Sequence, residues 1–272
     1  MVEPKISIIT INYNNRQGLQ KTIQSIFCQT YLNYEHIVID GGSTDGSLDY
    51  ISKHIDKLSF WSSEKDEGIY SAMNKGIRNS KGEYIIFLNS GDYFFGKASL
   101  DQFFMNSNNE DLIYGNLLIE EDNATWMKSY PSVLSFSYFL KDTLPHPSTL
   151  IKRSLFSIVG LYNEKNRIVS DWEFFVSAIC KYNSSYKKVN STISVFKLDG
   201  ISSMPKNSDL IELEKNQALQ KHFPLFLEDF NKLYNDKNLM EDFKSQRLYK
   251  LMITLQRTFL YKLIVKLRLK IK

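Results

Sequence analysis

Three polar clusters follow directly on apolar runs, and their residue types suit binding and acid–base chemistry. The first is Asp40-Gly41-Gly42-Ser43-Thr44-Asp45-Gly46-Ser47, after the run YEHIVID. Its glycines permit a tight turn and close backbone approach to a ligand. Ser43 or Thr44 can cap the helix that follows, whose N-terminus favours an anion. Asp40, at the end of the run, can accept hydrogen bonds from a base or a ribose. The pattern is neither a Gly-x-Gly-x-x-Gly dinucleotide fingerprint nor a P-loop, because Ser47 stands where that loop needs lysine. The second cluster, Asn89-Ser90-Gly91-Asp92, follows EYIIFL. A carboxylate there is a hard oxygen ligand suited to Mg²⁺ or Mn²⁺, and an ion with few protein ligands completes its shell with phosphate oxygens and water. The third, Ser170-Asp171-Trp172-Glu173, opens a helical pattern. Asp171 is the candidate general base. Glu173 lies about 200° further round the helix and faces elsewhere. Each cluster also has a plainer reading, as a capped turn, an Asn/Gly/Asp turn and a dipole-stabilised first helical turn.

The elements that must position these clusters alternate in type. Lys5–Asn12, Tyr34–Asp40 and Glu83–Leu88 are short, β-branched, apolar runs, and Leu58–Ser62 is a weaker one. Between them, Arg16–Thr30, Thr44–Ile55 and Ile69–Arg78 carry helical periodicity, with Leu48, Ile51 and Ile55 on one face of the second. Strand and helix in alternation imply parallel βαβ units, with ligands bound beyond the carboxyl ends of the strands. After residue 95 the pattern loosens. Strands are expected over Asp111–Ile119, Pro147–Lys152 and Ser185–Lys197, and helices over Asp171–Cys180, Asp209–Phe223 and from about Asn238 onward.

Taken together, these motifs resemble family 2 inverting glycosyltransferases of GT-A fold, from about Lys5 to Ser203. KISIITINYNN (Lys5–Asn15) resembles the family's opening strand, Asp40–Ser47 its nucleoside-binding turn and Leu88–Asp92 its Asp-x-Asp metal site. The stretch Glu64–Gly76 (EKDEGIYSAMNKG), with His146-Pro147 and Gly200-Ile201-Ser202-Ser203, resembles the subgroup that builds bacterial exopolysaccharide and lipopolysaccharide, including colanic-acid-type transferases. The resemblance implies a mostly parallel α/β sheet and a role for each matched residue. Thr10 and Asn12 line the nucleotide base, Asp40 binds base or ribose, and Asp66 closes the nucleoside pocket with Lys75 nearby. Asn89 and Ser202 belong to the donor-binding set, Ser202 in the Gly200–Ser203 loop near the diphosphate; Asp92 binds Mg²⁺ or Mn²⁺, and Asp171 is the catalytic base. The chain departs from the family where Asn89 and Gly91 replace aspartates and where Ser170 replaces a glutamate. The implied donor is a nucleotide-diphosphate sugar, a UDP-sugar first, and the acceptor a glycan or lipid-linked glycan hydroxyl. The implied organisation is a GT-A domain over 1–205, with a donor half (1–95) and an acceptor half (96–205), then a helical extension over 206–272.

Composition bounds the remainder. Of the net charge of +4, residues 243–272 hold nine Lys and Arg and no Asp or Glu, so the body is mildly acidic. In that segment Leu248, Met252, Leu255, Phe259 and Leu263 share one helical face, which with the basic charge suits an anionic lipid surface. Peripheral contact through 244–272 on the inner face of the cell membrane, from the cytoplasm, is therefore expected, and the N-terminus is read as lacking a signal-peptide layout. No run approaches the roughly 18 apolar residues of a membrane span. Cys28 and Cys180 are too few for a disulfide framework or zinc site and are expected to be buried thiols. No nucleic-acid-binding motif is present. Two other functions fit a nucleotide-binding α/β chain: a sugar-phosphate nucleotidyltransferase, which should carry a Gly-rich basic loop where this chain has INYNNRQG, and a non-catalytic nucleotide-sugar-binding module.

Overall fold

In the computed structural model, residues 5–104, 109–121, 124–198, 200, 204–229, 232, 250 and 254 are described. Ser202 and, apart from Lys250 and Thr254, the basic stretch 243–272 lie outside them. The strands are β1 (Ile6–Asn12), β2 (Tyr34–Asp40), β3 (Phe60–Ser63), β4 (Tyr84–Phe87), β5 (Tyr93–Phe94), β6 (Leu112–Glu121), β7 (Ala124–Lys128), β8 (Thr149–Lys152) and β9 (Tyr186–Lys197). The helices are α1 (Arg16–Phe27), α2 (Ser47–Ser52), α3 (Ile69–Arg78), α4 (Ser99–Phe104), α5 (Phe136–Phe139), α6 (Leu155–Ile158), α7 (Ser170–Cys180) and α8 (Ser208–His222). Internal contacts divide the chain into Met1–Asn216 and Gln217–Lys272. Every strand and α1–α7 belong to the first unit. In the second, Ala218, Leu219 and Phe223 are buried.

The strands form one sheet of order β3-β2-β1-β4-β8-β6-β9-β5, with β7 attached to β6. β3, β2, β1 and β4 run parallel, and β9 runs parallel to β6, so the sheet is mostly parallel as expected. β1 and β4 are buried at every residue because helices cover both faces of a parallel sheet. The β1–β2 register sets Asn12 beside Asp40. β6 changes neighbour along its length: residues 112–114 pair with β8, and 117–121 pair with β7. Its pairing with β9 is irregular at Asn116. A chain that swaps one partner for another must open the sheet there, and a cavity lies over this second half of β6.

Two sequence expectations change. α2 stops at Ser52 and Ile55 falls on a separate 3₁₀ turn, so of the expected apolar face only Ile51 is buried, while Leu48 and Ile55 are exposed. Cys28 is exposed rather than buried, because α1 ends at Phe27 and Cys28 falls off the buried stripe Leu19–Thr22–Ile23–Ile26. Among the described residues, no helix is long and apolar enough to cross a membrane.

Candidate active site

The carboxyl edge of β3, β2, β1 and β4 gathers the polar clusters. Asp40 ends β2 with both carboxylate oxygens engaged. Oδ1 accepts from Asn12 Nδ2 (2.6 Å) and Ser43 Oγ (2.6 Å), and Oδ2 accepts from Ser43 N (2.9 Å) and Ser63 Oγ (2.6 Å). Burial pushes its pKa up, but the bonds from Ser43, Ser63 and Asn12 outweigh that and hold it below the ordinary value. Asp40 is thus an ionised hub that ties β1, β3 and the turn together. Asn12 Oδ1 is buried without a hydrogen-bond partner. Neither Ser43 nor Thr44 caps α2. Ser43 spends its hydroxyl on Asp40, and Asp45 Oδ1 instead accepts from Ser47 N at 3.0 Å. Thr10 lies inside the sheet, its Oγ1 3.0 Å from Nε2 of His36. Burial holds that imidazole's pKa down to about 3, so it is neutral.

Asp66 reaches the same turn. A side chain at Gly41 would stand 3.3 Å from Asp66 Oδ2 and 3.2 Å from the Tyr13 ring, so the absent Cβ leaves a gap bounded by both. Burial raises the Asp66 pKa; Glu64 and Asp40 add to this and Lys75 opposes it. Lys75 is ion-paired with Glu64.

The Asn89–Asp92 turn is bound to α1. Asn15 Nδ2 donates to Ser90 O (2.9 Å), and Thr22 Oγ1 donates to Asp92 O (2.6 Å) while accepting from Gly91 N (3.1 Å). Asp92 N closes the turn on Asn89 O at 2.9 Å. Gly91 has φ +109°, which disfavours any residue with a side chain, so the departure from the Asp-x-Asp pattern at this position follows from the backbone. Asp92 is buried, and Asn89 Oδ1 is buried without a hydrogen-bond partner. Among the described residues, no three His, Cys, Asp or Glu side chains gather. There is thus no all-protein cage among the described residues. One carboxylate and one orphaned amide oxygen match a hard cation that takes its other ligands from phosphate and water.

Asp171 stands in the first turn of α7. Its Oδ1 accepts from Tyr70 OH at 2.8 Å, and the same hydroxyl lies 2.5 Å from Ile168 O. Tyr70 lies in the first turn of α3, which follows β3 in the chain, so this bond ties Asp171 to that carboxyl edge. Asp171 also lines a cavity of about 550 Å³ with His146, Trp126, Lys128 and Lys215. His146 stacks on Phe87 (4.7 Å between centroids) and lies 2.9 Å from Tyr162 OH. Burial lowers its pKa, and the Asp171 charge opposes this. Glu173 points away, accepting from Asn163 Nδ2 (3.1 Å) and Asn166 Nδ2 (2.8 Å).

Two residues that hold Asp171 in place escaped the sequence reading. Tyr70 was visible only as part of the Glu64–Gly76 motif. Glu214 carried no signal in sequence. On α8 and 5% exposed, it accepts from the backbone N–H groups of Arg167 (2.7 Å), Ile168 (3.1 Å) and Val169 (3.2 Å). Asn74 of the same motif is structural: its Nδ2 donates to Tyr162 O, and its Oδ1 accepts from Tyr162 N, which docks α3 on the segment after α6.

Residues 7–167, more than half of the chain, match Glycosyl transferase family 2. An uncharacterized glycosyltransferase of Mycobacterium tuberculosis is 34% identical over 180 residues, covering 64% of this chain and 69% of that protein. A PGL/p-HBAD biosynthesis glycosyltransferase of Mycobacterium bovis is 29% identical over 180 residues, with the same coverage. Among solved structures, S. aureus TarS 1–349 in complex with UDP superposes with a TM-score of 0.58 at 18% identity, covering 71% of this chain and 60% of that one. The mannosyltransferase PcManGT of Pyrobaculum calidifontis, in complex with GDP-Man and Mn²⁺, gives 0.57 at 15% identity, covering 84% and 65%. The α/β sheet expected from sequence is thus shared with glycosyltransferases of GT-A fold.

Proposed function

Since the chain belongs to Glycosyl transferase family 2 and is a glycosyltransferase by that membership, we propose that it transfers a sugar with inversion from a nucleotide-diphosphate sugar to an acceptor hydroxyl. The observation that carries this is Asp171, held by Tyr70 at the carboxyl edge that also bears the Asp40 turn, and opening on a cavity large enough for an acceptor. The acceptor oxygen attacks the anomeric carbon from the face opposite the leaving group. The anomeric C–O bond to the diphosphate breaks, and nucleoside diphosphate departs with the electron pair. Asp171 takes the hydroxyl proton, a role that commonly contributes 10²–10⁴-fold. Tyr70 fixes the carboxylate's orientation, and Glu214 fixes the backbone on which it stands.

Asp40 and Asn12 shape the nucleoside turn, with Asp66 across the Gly41 gap. Asp92 and Asn89 would hold Mg²⁺ or Mn²⁺, whose positive charge stabilises the departing diphosphate. The PcManGT complex contains Mn²⁺ and GDP-Man, and the TarS complex UDP, which supports a nucleotide donor with metal. UDP-sugars are the first donors to try. The acceptor is a glycan or lipid-linked glycan; a relative named for PGL/p-HBAD biosynthesis supports the latter. The Glu64–Gly76 and Gly200–Ser203 segments support a place in bacterial surface-polysaccharide synthesis, and the basic stretch 244–272 supports peripheral contact with anionic lipid. The test is a panel of nucleotide sugars incubated with and without Mn²⁺. Slow donor hydrolysis that needs the metal is expected, and a panel with no hydrolysis and no nucleotide binding would sink the proposal.

A further inference from the structure

With Asp171 as the base proposed above, what surrounds that carboxylate decides which acceptor fits. An acceptor hydroxyl must come within hydrogen-bond reach of its base. Asp171 opens on the 550 Å³ cavity, so the part of the acceptor next to the attacked hydroxyl occupies that space. The volume is in the range that takes a drug-sized molecule. Its walls are mostly apolar, with Tyr130, Thr143, His146, Asp171 and two lysines among them. Leu117 and Ile119 of β6, Trp126 of β7, Trp172 of α7, Phe196 of β9 and Ile211 of α8 face it.

The charges in this wall balance. Lys128 is paired with Asp142 at 2.8 Å. Lys215 lies 5.1 Å from the centre of the Trp172 ring. Burial depresses its pKa, while Asp142 and Asp171 act to keep it charged. Counting Asp142, which pairs with Lys128 from outside the lining, the two lysines are matched by two aspartates, so among the described residues these four side chains give the cavity no net positive charge to hold a phosphate. A sugar hydroxyl against the apolar part of this wall would give up its hydration without a partner, whereas hydrocarbon or aryl surface gains by leaving water.

We propose that the acceptor is an uncharged amphiphile whose apolar aglycone fills the cavity beside Asp171, so that transfer occurs close to the lipid or aryl end of the growing glycan. Addition far out along a polysaccharide would bring no apolar group to this wall.

The test uses the full chain and alkyl β-glucosides from methyl to octyl, below their micelle concentrations. Binding is followed by tryptophan fluorescence, since two of the three tryptophans line the cavity. Affinity should rise roughly fourfold for each methylene that enters, as expected for burial of a CH₂ group. Octyl phosphate should bind more weakly than octyl glucoside. Ile211→Gln, at a half-buried α8 position, should flatten the chain-length dependence, with circular dichroism confirming that the fold is kept. Affinity independent of chain length, tighter binding of octyl phosphate, or an unchanged slope in a folded Ile211→Gln would each overturn the inference. The readout needs no donor. A protein that hydrolyses nucleotide sugar yet ignores chain length therefore fails this inference alone, whereas loss of donor hydrolysis bears on the underlying reading.

Discussion

Replacing Glu214 by Gln should damage both stability and turnover while leaving the donor site alone. Oε1 serves Arg167 N, and Oε2 serves Ile168 N and Val169 N. The amide of Gln keeps one oxygen and turns an NH₂ toward the other position, where it meets a donor. In the better orientation its oxygen faces Ile168 and Val169, and only the Arg167 N–H is orphaned. An unpaired buried donor costs about 1–3 kcal/mol, and the two surviving bonds each weaken by about 1 kcal/mol as their acceptor loses its charge. The expected loss is about 3–5 kcal/mol, a large part of a typical folding free energy. The backbone released, 167–169, leads directly into Asp171 and carries the Ile168 carbonyl beside Tyr70 OH. A base displaced by even 1 Å lowers kcat by up to about 10²-fold. Urea unfolding gives the stability change, and initial rates against donor concentration separate kcat from donor KM. We expect kcat to fall at least tenfold with donor KM unchanged, because Glu214 touches nothing in the Asp40 turn. A loss of stability below about 0.5 kcal/mol would show that these bonds do not hold the loop. Full kcat in a destabilised variant would show that the loop does not position the base.

Asp171→Asn preserves shape but cannot take the proton, so turnover should drop at least about 10²-fold with donor affinity nearly unchanged. Near-normal turnover there, with collapse in Glu173→Gln, would move the base to the other carboxylate. Asp92→Ala should abolish Mn²⁺-dependent nucleotide binding by calorimetry; the same affinity with and without metal in both proteins would remove Asp92 from the metal site. His36 stays neutral in the fold down to about pH 3 but takes a proton near 6.5 once unfolded. The stability it contributes is therefore complete above pH 6.5 and lost as pH falls from 6.5 toward 3, with a slope of up to about 1.4 kcal/mol per pH unit. His36→Gln should flatten that acid limb, and parallel limbs would assign it to other groups. Deleting residues 244–272 should weaken binding to anionic vesicles in a salt-dependent way and spare donor hydrolysis; unchanged vesicle binding would remove the tail from the membrane proposal.

The sequence by itself determined the alternation of strands and helices in the first hundred residues, because each buried parallel strand is a continuous apolar run and each covering helix repeats its apolar residues every three or four positions. It also located Asp40 and Asp92, since a polar Gly-containing cluster directly after such a run can only be the turn at the strand's carboxyl end. Where local pattern weakened, so did the reading. β5 has two residues and β7 is an exposed edge, and neither was foreseen. The partnerships were decided by tertiary structure alone. Glu214 lies 46 residues from the Ile168 it holds and meets that loop only because α8 packs there. Tyr70 and Asp171 are separated by 101 residues. The spent oxygens of Asp40 depend on the β1–β2–β3 register, and the positive φ of Gly91 on the ties from Asn15 and Thr22 across to α1. The apolar wall beside Asp171 is likewise assembled from β6, β7, β9 and two helices that no spacing rule connects. Periodicity reports what a residue does within its own element, whereas hydrogen bonds and cavities between elements exist only once the sheet order has been chosen.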